Sequence, residues 1–224
     1  MKVKLISITK PVAEDLSHFS TEDLIAHAAR VSNPSNQLST ETAPKLLKYC
    51  LKHSHWSIFE TVSATVEVTT SLSISAQILR HRSFTFQQFS GRYSKLSEME
   101  LYSARRQDLK NKQNSLDDME DIDKDWFKMA QERVWQQSIN LYREGLDRGI
   151  AKEQMRFLLP SNTQTTLYMT GNLRSWITYL LVRMEKGTQL EHREIASAIF
   201  NELKVHFPVV FQAITDLHPE IFNG

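Results

Sequence analysis

The chain has 224 residues, of which 41% are hydrophobic, and its 27 lysines and arginines nearly balance 26 acidic residues, for a net charge of +1. This balance argues against a protein that coats nucleic acid, because such proteins need a strong basic excess. The single cysteine, Cys50, cannot form an internal disulfide, which is typical of cytoplasmic proteins. The sequence has no apolar run long enough for a membrane span, so neither nucleic acid nor a membrane is expected as a partner.

Hydrophobic periodicity predicts strands and helices in mixed order through the first half of the chain. The predicted elements are a strand beginning at Lys2–Leu5, a helix after a capping box at Ser20–Asp23, a helix from about Thr42 to His53, a strand from Val62 to Thr70 and a helix from Ser71 to Leu79. Cys50 falls on the apolar face of its helix, which predicts a small core residue and argues against a catalytic thiol.

The second half begins with an arginine-rich stretch, residues 80–94, whose later part is predicted to be a loop, and with a polar surface excursion at about 94–125. The predicted elements that follow are a long amphipathic helix from Trp126 to Leu146 with its tryptophans in the core, a short helix from Lys152 to Leu159, a strand from Thr163 to Thr170, a helix ending near Gly187, a helix from Glu191 to His206 and a last helix after Pro208.

The order of these elements predicts the fold class. Strands do not alternate regularly with helices, and the sequence contains no G-x-G-x-x-G or phosphate-loop pattern. We therefore expect an α+β protein that forms a single domain over residues 1–224. Its mostly antiparallel sheet should pack against several helices, with no Rossmann unit.

The stretch 80–94 predicts an anion-binding centre. It holds three arginines and a histidine in a chain that is otherwise electrically balanced, and guanidinium groups suit phosphates and anionic ring edges. Ser90 lies in this stretch but lacks the G-x-S-x-G context of an activated nucleophile, so a phosphate donor is the better interpretation. Arg183, two turns after Trp176 on an apolar helix, either reaches solvent or faces an anion.

His53 and His55 are separated by one residue, which is a spacing that a metal site can use. However, the chain offers no cysteine pair and no second histidine pair to complete such a site, so no metal is predicted. A histidine here can instead hydrogen-bond a ligand or cap its helix.

The spacing of the arginine-rich stretch resembles a family signature. Arg-His-Arg, then seven residues, then Ser90-Gly91-Arg92-Tyr93 resembles the motif of the flavin-dependent thymidylate synthases. Further segments match that family in the same order along most of the chain. They are His53-x-His55, Phe59-Glu60, Arg156 with Leu159-Pro160, Asn172-x-Arg174-Ser175, Arg183 and Gln189-x-Glu191.

The resemblance implies an activity and its cofactors. It implies a homotetramer, with sites shared between subunits, that methylates dUMP to dTMP. Methylenetetrahydrofolate supplies the carbon, tightly bound FAD carries the hydride and NADPH reduces the flavin. No enzyme cysteine attacks the pyrimidine in this family, which agrees with the position predicted for Cys50.

The resemblance also implies roles for individual residues. The dUMP-binding positions are Gln77, Ile78, Leu79, Arg80, Gln88, Phe89, Ser90, Gly91, Arg92, Arg156 and Arg183. The FAD-binding positions are His55, Ser57, Arg80, His81, Arg82, Gln88, Asn172, Leu173, Arg174 and Thr178. Arg183 has the implied catalytic role, because a fixed cation beside the uracil ring favours its anionic, more reactive form. The sequence departs from the family at Gln88, where many members have Glu, at Thr178, where some have Asn, and at Gly187, where some have His.

Two other functions are compatible with the sequence. One is a flavoprotein of the same fold that oxidises NADPH without methylating dUMP. The other is a nucleotide- or RNA-binding module that places Arg80, Arg82, Arg92 and Arg174 on phosphates. The net charge of +1 weighs against the second.

Overall fold

The computed structural model describes residues 1–91, 97–112 and 114–222. Its strands are β1 (Lys2–Ile8), β2 (Ser63–Ser71), β3 (Thr85–Gln88), β4 (Arg106–Gln107), β5 (Ser115–Leu116) and β6 (Gln164–Asn172). Its helices are α1 (Thr21–Ala29), α2 (Ala43–Lys52), α3 (Leu72–Ile78), α4 (Asp121–Asp147), α5 (Lys152–Met155), α6 (Leu173–Arg183), α7 (Leu190–Lys204), α8 (Pro208–Leu217) and α9 (Pro219–Phe222). Short 3-10 turns occupy Glu14–Leu16, Pro34–Asn36, Trp56–Glu60 and Arg156–Leu158.

A four-stranded sheet in the order β1-β2-β6-β3 forms the centre of the molecule, and every neighbouring pair is antiparallel. Side chains alternate along β2 and β6, so that Val66, Val68 and Leu167 are fully buried on one face. On the other face, hydroxyl groups pair across the two strands, with Thr65 and Thr170 joined at 2.9 Å. The α+β prediction with an antiparallel sheet is confirmed.

β2 and β6 each continue into a helix without an intervening loop. Ser71 is both the last residue of β2 and the N-cap of α3, and its hydroxyl accepts a hydrogen bond from the backbone N–H of Ile74. Asn172 has the same two positions in β6 and α6, and its side-chain oxygen accepts from the N–H of Ser175 at 2.9 Å. The register of the sheet therefore fixes where both helices begin.

The helices α2, α6, α7 and α8 contribute to one hydrophobic core on the buried face of the sheet. Trp176 of α6 is fully buried, and its indole N–H donates to the carbonyl oxygen of Ala64 at 3.2 Å. Cys50 is also buried, as predicted, and burial raises the pKa of its thiol. The core thus ties α6 directly to β2.

The loop predicted for the later part of the arginine-rich stretch begins only after a short strand, at residue 89. Residues 85–88 form β3, which pairs with β6 through Thr85–Thr170 to Gln88–Leu167. The reason is that β6 offers an unpaired edge, whose N–H and C=O groups need partners. This pairing holds the start of the Ser90-Gly91 segment against the sheet.

The long helix α4 differs from the prediction in its burial. Trp126 was expected in the core but is 62% exposed, and Met129 is also exposed. Only a small second core, made by Ile139, Tyr142 and Met155, anchors the helix to α5. Among the described residues, no helix is both long and apolar enough to cross a membrane.

The polar stretch at about 94–125 is attached to the body of the protein at several points. Tyr102 donates its hydroxyl hydrogen to Ser71 at 2.6 Å, and Arg105 forms an ion pair with Glu191 at 2.7 Å. β4 and β5 form a short hairpin, and α4 begins at Asp121, before the predicted Trp126. Residues 94–96 and 113 of this stretch lie outside the described residues.

Candidate functional site

Arg183 and the arginine-rich stretch meet within one chain. Arg183 ends α6, while His81 follows α3, and the two residues are 102 positions apart in sequence. The Nε–H of Arg183 donates to Nε2 of His81 at 2.7 Å. The two helices that continue from β2 and β6 therefore converge at their C-terminal ends, and there they join the implied catalytic arginine to the Arg-His-Arg motif.

This contact requires His81 to be neutral at Nε2. Burial, followed by the nearby charges of Arg183 and Arg80, lowers the pKa of His81 from its ordinary value of 6.5 to about 4. At neutral pH the ring accepts a hydrogen bond and does not repel the guanidinium. This hydrogen bond uses only the Nε–H of Arg183. It therefore holds the plane of the guanidinium in one orientation.

Behind this pair lies a second, deeper pair of polar rings. The hydroxyl group of Tyr179 is 3.1 Å from Nε2 of His192, and both side chains are almost fully buried. Burial, and then the charges of Arg183 and His81, lowers the pKa of His192 to about 3. Burial also raises the pKa of Tyr179, and its ring lies 4.9 Å from that of His81, edge to face. Both groups are therefore neutral at physiological pH.

Gln77, one of the implied dUMP-binding residues, contacts this deeper pair. Its Oε1 is 3.3 Å from Nδ1 of His192, and its Nε2 donates to Oε1 of Gln189 at 2.6 Å. Its neighbour Ile78 is fully buried in the core, and its carbonyl oxygen accepts from the N–H of His81 at 3.1 Å, so Ile78 presents no exposed group to a ligand. Leu79 and Arg80, by contrast, are exposed at the end of α3.

A second group of implied nucleotide-binding residues lies at the end of β3. The side-chain amide of Gln88 donates to the hydroxyl groups of Ser75 at 3.1 Å and Thr165 at 3.2 Å. This amide therefore faces the body of the protein. Phe89 is half exposed, Ser90 and Gly91 are partly buried, and Arg92 lies outside the described residues.

A third group, implied to bind FAD, surrounds the start of α6. Arg174 is exposed and pairs with Glu60, while the hydroxyl group of Thr178 donates to the carbonyl of Arg174 at 3.0 Å. The backbone N–H of Leu173 bonds to Val62 at 3.0 Å and its side chain is buried, so neither is available to a ligand. Asn172 uses its side-chain oxygen to cap α6.

The remaining implied residues are open to solvent. His55 and Ser57 are exposed beside the 3-10 turn, with the His55 ring 5.8 Å from that of Tyr49, and Arg82 is exposed after α3. Arg156 is exposed, and its guanidinium lies 5.3 Å from the ring centroid of Phe157. Residues 1–91, 97–112 and 114–222 contain no cluster of histidine, cysteine and acidic side chains able to hold a metal ion.

Sequence reasoning missed Tyr179 and His192. Tyr179 lies one helical turn before Arg183, so it shares a face with the implied catalytic residue, and this spacing was the available signal. His192 directly follows the matched Gln189-x-Glu191 segment, but a histidine on an apolar helix face usually indicates an ordinary core position. Their partnership depends on the packing of α7 against α6, which periodicity cannot predict.

Comparison with known proteins decides the family. A model of the family described as "Thymidylate synthase complementing protein" matches residues 16–209. A flavin-dependent thymidylate synthase from Synechocystis is 53% identical over 215 residues, covering 96% of this chain and 99% of the relative. The chain belongs to the flavin-dependent thymidylate synthase family. The motif-based resemblance is therefore confirmed.

A second relative agrees with this assignment, and a solved structure shares the fold. A probable flavin-dependent thymidylate synthase from Paramecium bursaria Chlorella virus 1 is 50% identical, covering 96% of this chain and 99% of the relative. The crystal structure of a UMP/dUMP methylase from Streptomyces cacaoi, bound with 5-bromo-dUMP, superposes with a TM-score of 0.82. At 23% identity, covering 96% of this chain and 94% of that one, this match concerns the fold alone.

Proposed function

We propose that this flavin-dependent thymidylate synthase methylates dUMP to dTMP, with the carbon supplied by methylenetetrahydrofolate and the electrons by NADPH. The observation that carries the proposal is the contact of Arg183 with neutral His81, which joins the implied catalytic arginine to the family motif. The solved dUMP methylase bound with a dUMP analogue supports the choice of substrate.

Arg183 acts on the uracil ring as a fixed cation. His81 accepts from its Nε–H, so the guanidinium is held before the substrate arrives, and little reorganisation is needed during the reaction. A positive charge at the ring edge lowers the free energy of the deprotonated, electron-rich uracil relative to the neutral ring. In this proposal, Arg183 makes the pyrimidine reactive without forming a bond to it.

The exposed residues of the site fit FAD. Arg80, Arg82 and Arg174 are exposed cations suited to a pyrophosphate, and Ser57 and Thr178 provide hydroxyl groups nearby in the fold. We also assign hydrogen bonds with the flavin to His55 and to the side chain of Asn172. When bound and reduced, FAD supplies the hydride that the methylation needs.

The chain provides no activated nucleophile for a covalent route through cysteine. Cys50 is buried in the core, and its raised pKa keeps the thiol protonated at neutral pH. We assign Ser90 to nucleotide binding, because it lies two residues after the end of β3 and next to exposed Phe89.

We infer that several implied residues complete a site together with a second chain. Exposed Arg156, expected at the dUMP phosphate, has no hydrogen bond to Gln77, His81 or Arg183 within the described part of the chain. Exposed Trp126 and Met129 on α4 form an apolar surface that a subunit interface would cover. We propose a homotetramer with sites shared between subunits and residence in the cytoplasm.

An anaerobic assay with dUMP, methylenetetrahydrofolate and NADPH tests the function. The purified protein should carry a yellow flavin and form dTMP. Arg183→Ala should abolish dTMP formation and retain the flavin, while Arg148→Ala, which changes an exposed arginine at the C-cap of α4, should behave as wild type. Flavin reduction by NADPH without dTMP would support the oxidase alternative. Absence of flavin would leave the nucleotide-binding alternative.

A further inference from the structure

We propose that a chain of hydrogen bonds from Tyr179 to Arg105 positions the side-chain amide of Gln77 for dUMP, with His192 and Glu191 as its positioning residues. The proposal rests on the proposed function, because it takes Gln77 to contact dUMP. It adds residues to which the family resemblance gave no role, and it includes a residue of the polar stretch at about 94–125.

The chain of hydrogen bonds is continuous across three helices and two further residues, Gln189 just before α7 and Arg105 just before β4. It runs from Tyr179 on α6 to His192 on α7, and from there to Gln77 on α3, with separations of 3.1 and 3.3 Å. Gln77 then contacts Gln189 at 2.6 Å, and Gln189 contacts Glu191 at 2.9 Å.

An ion pair closes the far end of this chain. Nη2 of Arg105 lies 2.7 Å from Oε1 of Glu191, and the two side chains are only 12% and 8% exposed. Nε of Arg105 also donates to the hydroxyl group of Ser115 at 2.8 Å, which attaches the guanidinium to β5. Because breaking such a protected pair leaves a charge poorly solvated, Glu191 is held firmly in place.

The direction of donation follows from the carboxylate. The carboxylate of Glu191 only accepts, so the bond from Gln189 must come from its NH2 group, and the oxygen of Gln189 faces Gln77. The NH2 group of Gln77 therefore points at Gln189, and its oxygen points at Nδ1 of His192.

The tautomer of His192 follows in turn. Its Nδ1 must carry the proton in order to donate to Gln77, and the buried ring is neutral, so Nε2 accepts from the hydroxyl group of Tyr179. From Tyr179 to Gln189 every group then donates toward Glu191, whose carboxylate accepts from Gln189 on one oxygen and from Arg105 on the other, so no group conflicts with its neighbour.

The consequence concerns Gln77. A glutamine amide can rotate by half a turn and exchange its donor and acceptor with little steric change. The hydrogen-bond chain selects one orientation of the Gln77 amide. In the flipped orientation its oxygen would face the oxygen of Gln189, and its NH2 group would face the N–H of His192. A nucleotide that hydrogen-bonds Gln77 meets a prearranged partner and does not have to order it on binding.

A double-mutant cycle on dUMP binding tests this. The dissociation constant of dUMP is measured by calorimetry on the flavin-loaded protein carrying His192→Phe, Glu191→Gln, Gln77→Ala or the corresponding pairs. We expect His192→Phe and Glu191→Gln each to weaken binding about tenfold when Gln77 is present. In the Gln77→Ala background we expect less than about a twofold further change, because the effect travels through Gln77.

The control is Glu194→Gln, which changes an exposed glutamate on the same helix and should leave binding unchanged. If His192→Phe fails to fold, the Glu191→Gln cycle, which keeps the shape of the side chain, decides alone. Equal losses with and without Gln77 would overturn the inference, and so would unchanged dUMP binding in Gln77→Ala. Formation of dTMP by the wild-type protein is measured separately, so either result can occur while the proposed function stands.

Discussion

Acidification should destabilise the folded chain through His192, because the folded protein keeps this ring neutral. The side chain is fully buried, and its pKa falls from 6.5 to about 3. Below pH 6.5 the His192 ring binds a proton in the unfolded chain but stays unprotonated in the folded chain. The free energy of unfolding therefore decreases as the pH falls. The groups that cause the shift besides burial are Arg183 and His81.

The size of the effect follows from the shift. Each pH unit between the two pKa values costs about 1.4 kcal/mol, so the step from pH 6.5 to pH 5 costs about 2 kcal/mol. His81 adds to this loss in the same direction, but its partial exposure makes its share smaller. The loss of unfolding free energy therefore begins near pH 6.5, the pKa of His192 in the unfolded chain. It continues down toward pH 3, the pKa of His192 in the folded chain.

Urea denaturation at fixed chain concentration measures the difference in unfolding free energy between pH 7 and pH 5. His192→Phe removes the titrating group, so the gap in unfolding free energy between wild type and variant should shrink by about 2 kcal/mol at pH 5. His206→Gln changes an exposed histidine and should follow wild type at both values. A gap that stays constant between pH 7 and pH 5 would refute a neutral, buried His192.

Three further substitutions test the scaffold and the chemistry. Gly171→Ala places a Cβ 2.5 Å from the ring of Phe84 and should lower the unfolding free energy by about 1–3 kcal/mol in denaturant titrations. Asn172→Ala removes the N-cap bond to Ser175 and should cost about 1 kcal/mol in the same measurement, whereas Asn172→Asp should cost less. Cys50→Ala should still form dTMP, since a buried thiol takes no part; complete loss in a folded variant would contradict the cysteine-free route.

Local signals predicted much of the fold, because they depend on residues close together in sequence. The capping box at the start of α1 is one example: Ser20 accepts from the N–H of Asp23 at 3.1 Å, and Asp23 accepts from the N–H of Ser20 at 2.9 Å. β3 was missed because a short segment beside arginines has little periodicity, and only the free edge of β6 makes it a strand. Trp126 was misplaced because periodicity identifies an apolar face without saying what covers it.

In the candidate site, too, the sequence predicts individual residues but not the contacts that depend on tertiary packing. The resemblance to the family predicts functional roles for Gln77, His81 and Arg183, but nothing in the sequence predicts that His81 and Arg183, 102 positions apart, lie 2.7 Å from each other. That contact depends on the sheet register and on the packing of both α3 and α6 against α7. Tyr179 and His192, which touch no expected ligand, carry no motif and become visible only through their partners.

The direct passage from strand to helix at Ser71 and Asn172 also limits how this chain can change in length. Adding or deleting one residue inside β6 would reverse which side chains face the core and turn α6 by about 100° about its axis. No loop lies between them to absorb the error, so Arg183 would swing away from His81. Functional descendants of this sequence should therefore vary in length along the polar stretch at 94–125, while β2 and β6 remain nine residues long.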